Sequence, residues 1–571
     1  MRFFLFLLLS CCGSTLFGQS LQPAWAYAIT GLQQGLVYDF SMTIDSADNV
    51  IVAGAFEGKL DFDPGPDTFF LSSQWIQDVF IQKVDSDGNL LWAKSLGDSL
   101  PFSSWENISS VSTASDGSIY LTGDFNGTLD FDPGPGIFEM TSIGNDDLFV
   151  LKLSANGDFV WAESLGTPQR DDGQQIEVGT KGNVFVYGEF SGTIDFDPGP
   201  DTVAITASTR DNAFILKLDA NGDFLWVKTL GERTGVVVPY AAATDSAESF
   251  YLTGFFAGTV DFDPGPDTVT LVSMPARRGN SGDIFILKLD ADGNFNWASG
   301  MGSPQEEKGY DIEIDPFGNI LVAGSFSDTV DFDPGPGVEN VVASSTVNDF
   351  ILKLENNGDF VWVRSLEGIL SKAYIATDSA GAVYVSDILR GTLDMDPGAE
   401  TFDLTPMGST DVFILKLAHD GTFDWAQSLG GTGGTFPLAL EVGKRGDIFS
   451  MGEFFSTIIF DPILGINDLT SVANPDLFVV KFADRMLGLE DAQLPPQMIY
   501  PNPCRDMVNI DLSDLRGASV SVYSYDGKLV HQQENILTLS YQFELKGAPG
   551  LYIVEIQVGG KASHQKLIKR E

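Results

Sequence analysis

Five copies of the string Asp-Phe-Asp-Pro-Gly-Pro each place two carboxylates two residues apart: Asp61 and Asp63, Asp130 and Asp132, Asp195 and Asp197, Asp261 and Asp263, Asp331 and Asp333. Residues i and i+2 of an extended strand share a face, so each pair presents its oxygens together. A hard cation takes oxygen ligands. Strings such as Asp85-Ser86-Asp87-Gly88-Asn89 and Asp290-Ala291-Asp292-Gly293-Asn294 add further carboxylates near turns. The ten paired aspartates are therefore candidate metal ligands, with calcium the candidate cofactor. The spacing differs from that of an EF-hand loop, whose glycine stands sixth. The same residues also make a chain corner. In Asp63-Pro64-Gly65-Pro66 the proline presets φ for the second turn position, and glycine allows the positive φ of the third. Asp before proline accepts hydrogen bonds from nearby backbone amides. The corner is the first expectation and calcium the alternative. Asp outnumbers Glu by 57 to 22, a bias toward the shorter acid that suits turns.

Other chemistry has little to work with. The 571 residues include three His and three Cys, which leaves scant material for zinc, thiol or Ser–His catalysis. His419 is the one histidine outside the last 75 residues, and it stands in a turn where sister segments carry Ala or Asn. It reads as an exposed turn residue. Catalysis would have to rest on carboxylates, as in glycoside cleavage. The acids that break the repeat pattern are Glu177 and Glu313, each in an early strand of its repeat, and nothing in the sequence pairs them. No catalytic residue is assigned and the chain is not read as an enzyme. With 32 basic against 79 acidic residues the net charge is −47, which removes nucleic acid as a partner and disfavours anionic lipid.

The acidic strings belong to a repeat of 63 to 70 residues. A sixth copy is Asp-Met-Asp-Pro-Gly at Asp394, and a decayed one survives as Phe460-Asp461-Pro462. Each is followed by an acid and an apolar run holding Phe and Lys: Phe80/Lys83, Phe149/Lys152, Phe214/Lys217, Phe285/Lys288, Phe350/Lys353, Phe413/Lys416 and Phe478/Lys481. A Trp strand closes six repeats, at Trp92, Trp161, Trp226, Trp297, Trp362 and Trp425. The seventh Trp lies at the opposite end of the array, as Trp25. Within a repeat, short β-branched and aromatic runs alternate with Asp-Gly and Asn-Gly turns, about four strands each and no helical periodicity. The expected fold is all-β: a seven-bladed β-propeller closed by the N-terminal strand. Gly318-Asn319-Ile320-Leu321-Val322-Ala323-Gly324 and Ser118-Ile119-Tyr120-Leu121-Thr122-Gly123 resemble the bacterial propeller family with short GNxYVTG-type repeats. The resemblance covers about residues 23–484; it implies a fold and carries no catalytic residue.

The ends of the chain are addresses. Residues 1–18 read as a secretory signal peptide, with Arg2 as the basic start, Phe3–Leu9 as the apolar run and a cut after Gly18. Leu8-Leu9-Ser10-Cys11 offers a rival lipoprotein-type cut at Cys11. Either way no stretch of about 20 apolar residues is present, so no transmembrane segment is expected in the mature chain. After ordinary cleavage Cys504 is the one remaining cysteine, which excludes an intramolecular disulfide. The repeats span 19–484, a linker 485–496 ends in Pro495-Pro496, and 497–571 read as a small antiparallel β-sandwich. That tail opens with Tyr500, Pro501, Asn502 and Pro503, carries Gly550-Leu551-Tyr552, and ends basic with Lys566 and Lys569. It resembles the C-terminal sorting domain of cargo exported by the type IX secretion system. The resemblance implies recognition by that machinery and a place outside a Gram-negative cell, secreted or on its outer surface. The tail holds eight basic and eight acidic residues, so the repeats carry the whole acidic excess.

A rigid secreted ring with variable loops fits a binding or adhesion module for an extracellular glycan or protein. The loops singled out are Leu100–Glu106, Met274–Ser281 with the basic doublet Arg277-Arg278, and Gly430–Phe436. The alternatives are a carboxylate-based carbohydrate-active enzyme and a purely structural surface-display protein.

Overall fold

The computed structural model describes residues 21–31, 37–73, 77–97, 106–208, 212–231, 235–275, 282–368, 372–460, 468–472 and 475–483, and most of 499–570. The signal peptide, the linker, Arg277, Arg278, Asp461, Pro462 and the tail's Pro501, Asn502 and Pro503 lie outside the described residues, as do most of residues 100–106. The chain forms two compact units, Met1–Ile458 with Leu469–Ala483, and Ile459–Asp468 with Asp484–Glu571. All described regular structure is β, and among the described residues no helix is long and apolar enough to cross a membrane.

In the larger unit, seven sheets share one plan among the described residues: four antiparallel strands in chain order, each paired with the next. The first sheet runs Val37–Ile44, Val50–Phe56, Asp78–Val84 and Leu90–Leu96. Second and third strands are buried along their full length, as in Val50–Phe56 and Asp78–Val84. Covered on both faces, they read as near-continuous apolar runs and not as alternating ones. Fourth strands alternate in exposure, as an outer edge does. The seventh sheet is assembled from both ends of the unit: Thr435–Val442, Ile448–Phe454 and Asp476–Ala483 are completed by Gln22–Gly31, from Gln22 opposite Ala483 to Ile29 opposite Leu477.

Neighbouring sheets are fastened by the Lys and Trp markers. Lys217 Nζ and Trp226 Nε1 both donate to the carbonyl of Ala291, in a turn of the next sheet, at 2.9 and 3.1 Å. Lys152 and Trp161 do the same to Ala220, Lys288 and Trp297 to Asn356, and Lys353 and Trp362 to His419. Lys481 and Trp25, from the seventh sheet, donate to Ser86 of the first. The turn must bring its backbone onto the indole, so its tip is glycine: Gly157 has φ of 76°, and a Cβ there would stand 3.0 Å from the Trp92 ring. The lysines, Lys152 excepted, are buried, and most also hold a carboxylate, as Lys353 holds Asp315 at 2.8 Å. First strands adjoin in order round the unit: Val37–Ile44 beside Glu106–Thr113, then Asp172–Val178, Gly235–Thr244, Lys308–Ile314, Tyr374–Thr377 and Thr435–Val442. The last again contacts Val37–Ile44.

In the smaller unit, Ile499–Tyr500, Met507–Asp511 and Ser540–Glu544 form one antiparallel sheet. Leu529–Ile536, Ala518–Ser524, Gly550–Val558 and Lys561–Lys569 form another. Their core holds Val508, Ile510, Val520, Val522, Val554 and Ile556, together with Cys504.

Candidate functional site

The paired aspartates stand at the tips of small hairpins between second and third strands. Asp130 Oδ1 accepts the amides of Asp132 and Phe138 at 3.1 and 2.8 Å, and Asp132 Oδ1 accepts that of Gly134 at 2.8 Å. The same bonds recur at Asp61/Asp63, Asp195/Asp197, Asp261/Asp263, Asp331/Asp333 and Asp394/Asp396. The first aspartate ties the hairpin across its base and the second closes the Pro-Gly turn. Between them Phe131 turns inward, fully buried, with its ring 5.2 Å from those of Phe125 and Phe149. Asp85 and Asp290 likewise brace their own turns, each accepting two backbone amides. Among the described residues, no three Asp, Glu, His or Cys side chains come close enough to hold a metal ion.

The first strands enclose a cavity of about 380 Å³ to which every one of the seven sheets contributes. Glu177 and Glu313, which the sequence left unpaired, both line it, and a third glutamate, Glu441, joins them. The three hold one strand position, opposite Phe185, Leu321 and Phe449 of their second strands. The sheets between them place Ala243 and Ala376 there. Glutamates thus stand on the third, fifth and seventh sheets, with room beside them. The local pattern Ile176-Glu177-Val178, Ile312-Glu313-Ile314 and Leu440-Glu441-Val442 was the signal that could have joined Glu441 to the other two.

One turn of strand away, Asp311 and Gln175 sit at strand irregularities and bridge to the following sheet. Asp311 accepts the amide of Ile375 at 2.8 Å, and Gln175 exchanges bonds with both backbone groups of Ala242 at 3.0 and 3.1 Å. Gln175 also donates to Glu177 Oε1 at 2.7 Å. Glu313 and Glu441 accept no hydrogen bond from the described residues.

Burial and mutual repulsion set the protonation of this wall. Burial pushes Glu177 up to about 7, against the pull of the Gln175 amide and with a further push from the charge of Asp311. Burial pushes Asp311 up to about 6, held back by the Ile375 amide and the Lys372 charge. Glu441 rises to about 8 through burial and then the charges of Glu177 and Asp311. Glu313 lies well above the usual carboxylate range, from burial first and then the charges of Glu441, Asp311 and Glu177. Tyr187, also in the wall, is 2 % exposed, and its phenol is pushed well up by burial and by Asp311 and Glu177.

His419 is a half-exposed turn residue, as expected, but its Nδ1 also lies 2.9 Å from Lys353 Nζ. Gly430–Phe436 is less a loop than a junction, ending the strand Phe423–Gly431 and starting Thr435–Val442. In the tail, Tyr552 is buried and donates to the Ala548 carbonyl at 2.7 Å, and Lys569 donates to that of Leu545 at 2.7 Å. Gly550, Leu551 and Lys566 lie in the strands that pair there.

Residues 498–570 match the Por_Secre_tail family, the secretion system C-terminal sorting domain. A domain of this kind implies interaction with the type IX secretion system and a secreted or cell-surface location. The chain is 23% identical over 552 residues to an uncharacterized WD repeat-containing protein of Acanthamoeba polyphaga mimivirus, covering 81% of this chain and 38% of that protein. It is 30% identical over 163 residues to the regulatory protein FlaEY of Caulobacter vibrioides, covering 28% of this chain and 16% of that one. The chain thus spans well under half the length of both relatives. Among solved structures, a quinohemoprotein alcohol dehydrogenase from Pseudomonas putida overlaps 85% of this chain and 79% of its own at 10% identity and a TM-score of 0.34. A protein of unknown function from Dyadobacter fermentans overlaps 81% and 99% at 10% identity and a TM-score of 0.35. Overlaps this loose assign no activity. The chain is an all-β repeat protein with a secretion sorting domain at its C-terminus.

Proposed function

We propose that residues 19–484 make a closed seven-bladed β-propeller, exported by the tail of residues 497–571, that acts outside the cell as a binding module with its ligand site in the central cavity. Closure is supported by the Gln22–Gly31 strand and by the Lys481 and Trp25 bonds to Ser86, which repeat between the last and first sheets the fastening seen between others. The corner aspartates are structural in this reading, and calcium has no part in it.

The observation that carries the site is the cavity itself. All seven sheets line it, yet Glu313 and Glu441 accept no hydrogen bond from the described residues. Acceptors left open along a cavity wall suit a ligand that brings its own donors, such as a glycan end. The test is retention of extracellular polysaccharide by the secreted protein, compared with a variant carrying Glu177→Gln, Glu313→Gln and Glu441→Gln. At least a tenfold loss is expected; equal retention by the variant overturns the site.

The presence of Glu177 and Glu313 in one cavity wall favours a second reading, a carboxyl pair for glycoside cleavage. New reducing ends released from a retained polysaccharide, absent with the variant, would establish it over the binding module.

A further inference from the structure

We propose that the cavity is a receptor for a protonated amine, such as an amino sugar unit or a polyamine chain, held by Glu177, Glu313 and Glu441 on alternate sheets, with Tyr187 in the same wall. The inference rests on the cavity being the ligand site and adds the chemical class of what enters it.

Two features of the wall indicate what kind of ligand it suits. Tyr187 is 2 % exposed and belongs to the cavity wall, yet its hydroxyl has no hydrogen-bond partner among the described residues. Glu313 and Glu441 likewise accept no hydrogen bond from the described residues, unlike Asp315, which holds Lys353 and Asn319. A group that leaves acceptors open in a confined space is complemented by a ligand rich in donors, and an ammonium carries three and no acceptor.

The carboxyls select the cation over a neutral polyol, because an ammonium beside them favours their ionised forms. Four carboxylates line the cavity against one lysine, Lys372. Size and spacing select an organic cation over a metal ion. A calcium ion needs six to eight oxygens at about 2.3–2.6 Å, and no three acids here come close enough together to hold one. A cavity of about 380 Å³ has space for a ligand whose nitrogen reaches the glutamates while its carbon frame stays in the wall. The wall also offers aromatic faces: Tyr240 and Tyr310 lie 5.5 Å apart, and a cation over a tyrosine face is attracted by its quadrupole.

The wall's protonation gives the proposal a signature. Burial and the neighbouring carboxylates push Glu177 up to about 7 and Glu441 up to about 8, and raise Glu313 well above the usual carboxylate range. A bound ammonium would favour their charged forms, so binding at pH 7 releases protons.

The experiment is calorimetric titration of the secreted protein at pH 7 in two buffers of different ionisation enthalpy. The probes are spermidine and glucosamine, with N-acetylglucosamine as the uncharged counterpart. Spermidine and glucosamine are expected to bind with proton release, and N-acetylglucosamine at least tenfold more weakly. Glu313→Gln with Glu441→Gln should weaken spermidine at least tenfold. Tyr187→Phe, which keeps the ring and its packing, should weaken it two- to fivefold with an unchanged unfolding midpoint. Unaltered affinity in the double variant, or absence of spermidine binding, overturns the proposal. If polysaccharide retention by the wild type still depends on the three glutamates, only the amine class fails. If retention is also indifferent to them, the cavity reading fails with it.

Discussion

At the corners, aspartates are for the most part half-buried with backbone amides at 2.7–3.2 Å, and each gives one carboxylate oxygen to folding its own turn. Round the cavity, Glu313 and Glu441 are also half-buried, accept no amide from the described residues, and are pushed toward the neutral form by burial and by neighbouring carboxylates, Glu441 acting on Glu313 and Glu177 on Glu441. The two regions share one kind of chemical group and use it oppositely. A net charge of −47 is therefore a poor guide to function in this chain. What matters is whether a carboxylate's partners lie in the protein or are left to be supplied.

The largest expected effect tests the corner side of this comparison. Phe131→Ala empties a fully buried ring site between Phe125 and Phe149 and should cost about 3–5 kcal/mol. A denaturant midpoint within 1 kcal/mol of wild type would mean that the corner does not anchor the sheets. Asp315→Ala should cost about 3 kcal/mol or more, because it strands the buried Lys353 ammonium. The opposite sign is expected of Glu441→Gln, which removes a carboxylate that burial disfavours. Denaturant titration of the pair thus sets a partnered acid directly against an unpartnered one, and equal destabilisation would erase the distinction.

A smaller effect is expected at Asp130, where alanine removes the acceptor of two amides at an exposed turn and should cost about 1–2 kcal/mol. The pH dependence follows from the cavity. Glu177 and Glu441 have folded values of about 7 and 8, above the usual unfolded value of about 4.3. The native state therefore holds more protons across that interval. The stability these groups contribute is complete below about pH 4.3 and is lost as pH rises through 7 to 8. Asp315 works the other way: its folded value is lowered, so its contribution fades below about pH 4. Thermal midpoints should peak near pH 4–5 and fall toward pH 8, and Glu177→Gln with Glu441→Gln should flatten that fall. A parallel curve in the variant would remove the cavity as its source. The smallest expected change is that caused by calcium. Millimolar calcium should leave the midpoint unaltered, since the corner oxygens that fold the turns are already engaged; a rise of several degrees would restore the metal reading of the corners.

Much of the architecture is legible in local pattern. The Asp-Phe-Asp-Pro-Gly-Pro string carries its own corner, because proline, glycine and aspartate act on backbone within eight residues, as the bond from Phe138 N to Asp130 shows. Strands, their order within a repeat and the displaced Trp25 are readable for the same reason, and the tail announces itself through Tyr500 and the Gly550-Leu551-Tyr552 run. The roles of the repeated Lys and Trp are less legible. Each marker is plain, but its partner is a carbonyl in another sheet, 57 to 74 residues away in most cases and 395 away for Lys481.

The cavity was read only in part. Glu177 and Glu313 stood out because they break the repeat, while Glu441, Asp311 and Tyr187 gave no such signal singly. Alternation along a strand is a local property, and the sequence alone determines which residues form strands, where the chain turns and which tail directs export. Which carboxylates meet is decided by tertiary structure, because Glu177, Glu313 and Glu441 are more than a hundred residues apart and come together only when seven first strands gather about one cavity. Their shifted protonation has the same origin: it comes from shared burial and mutual charge, which no single segment of chain contains.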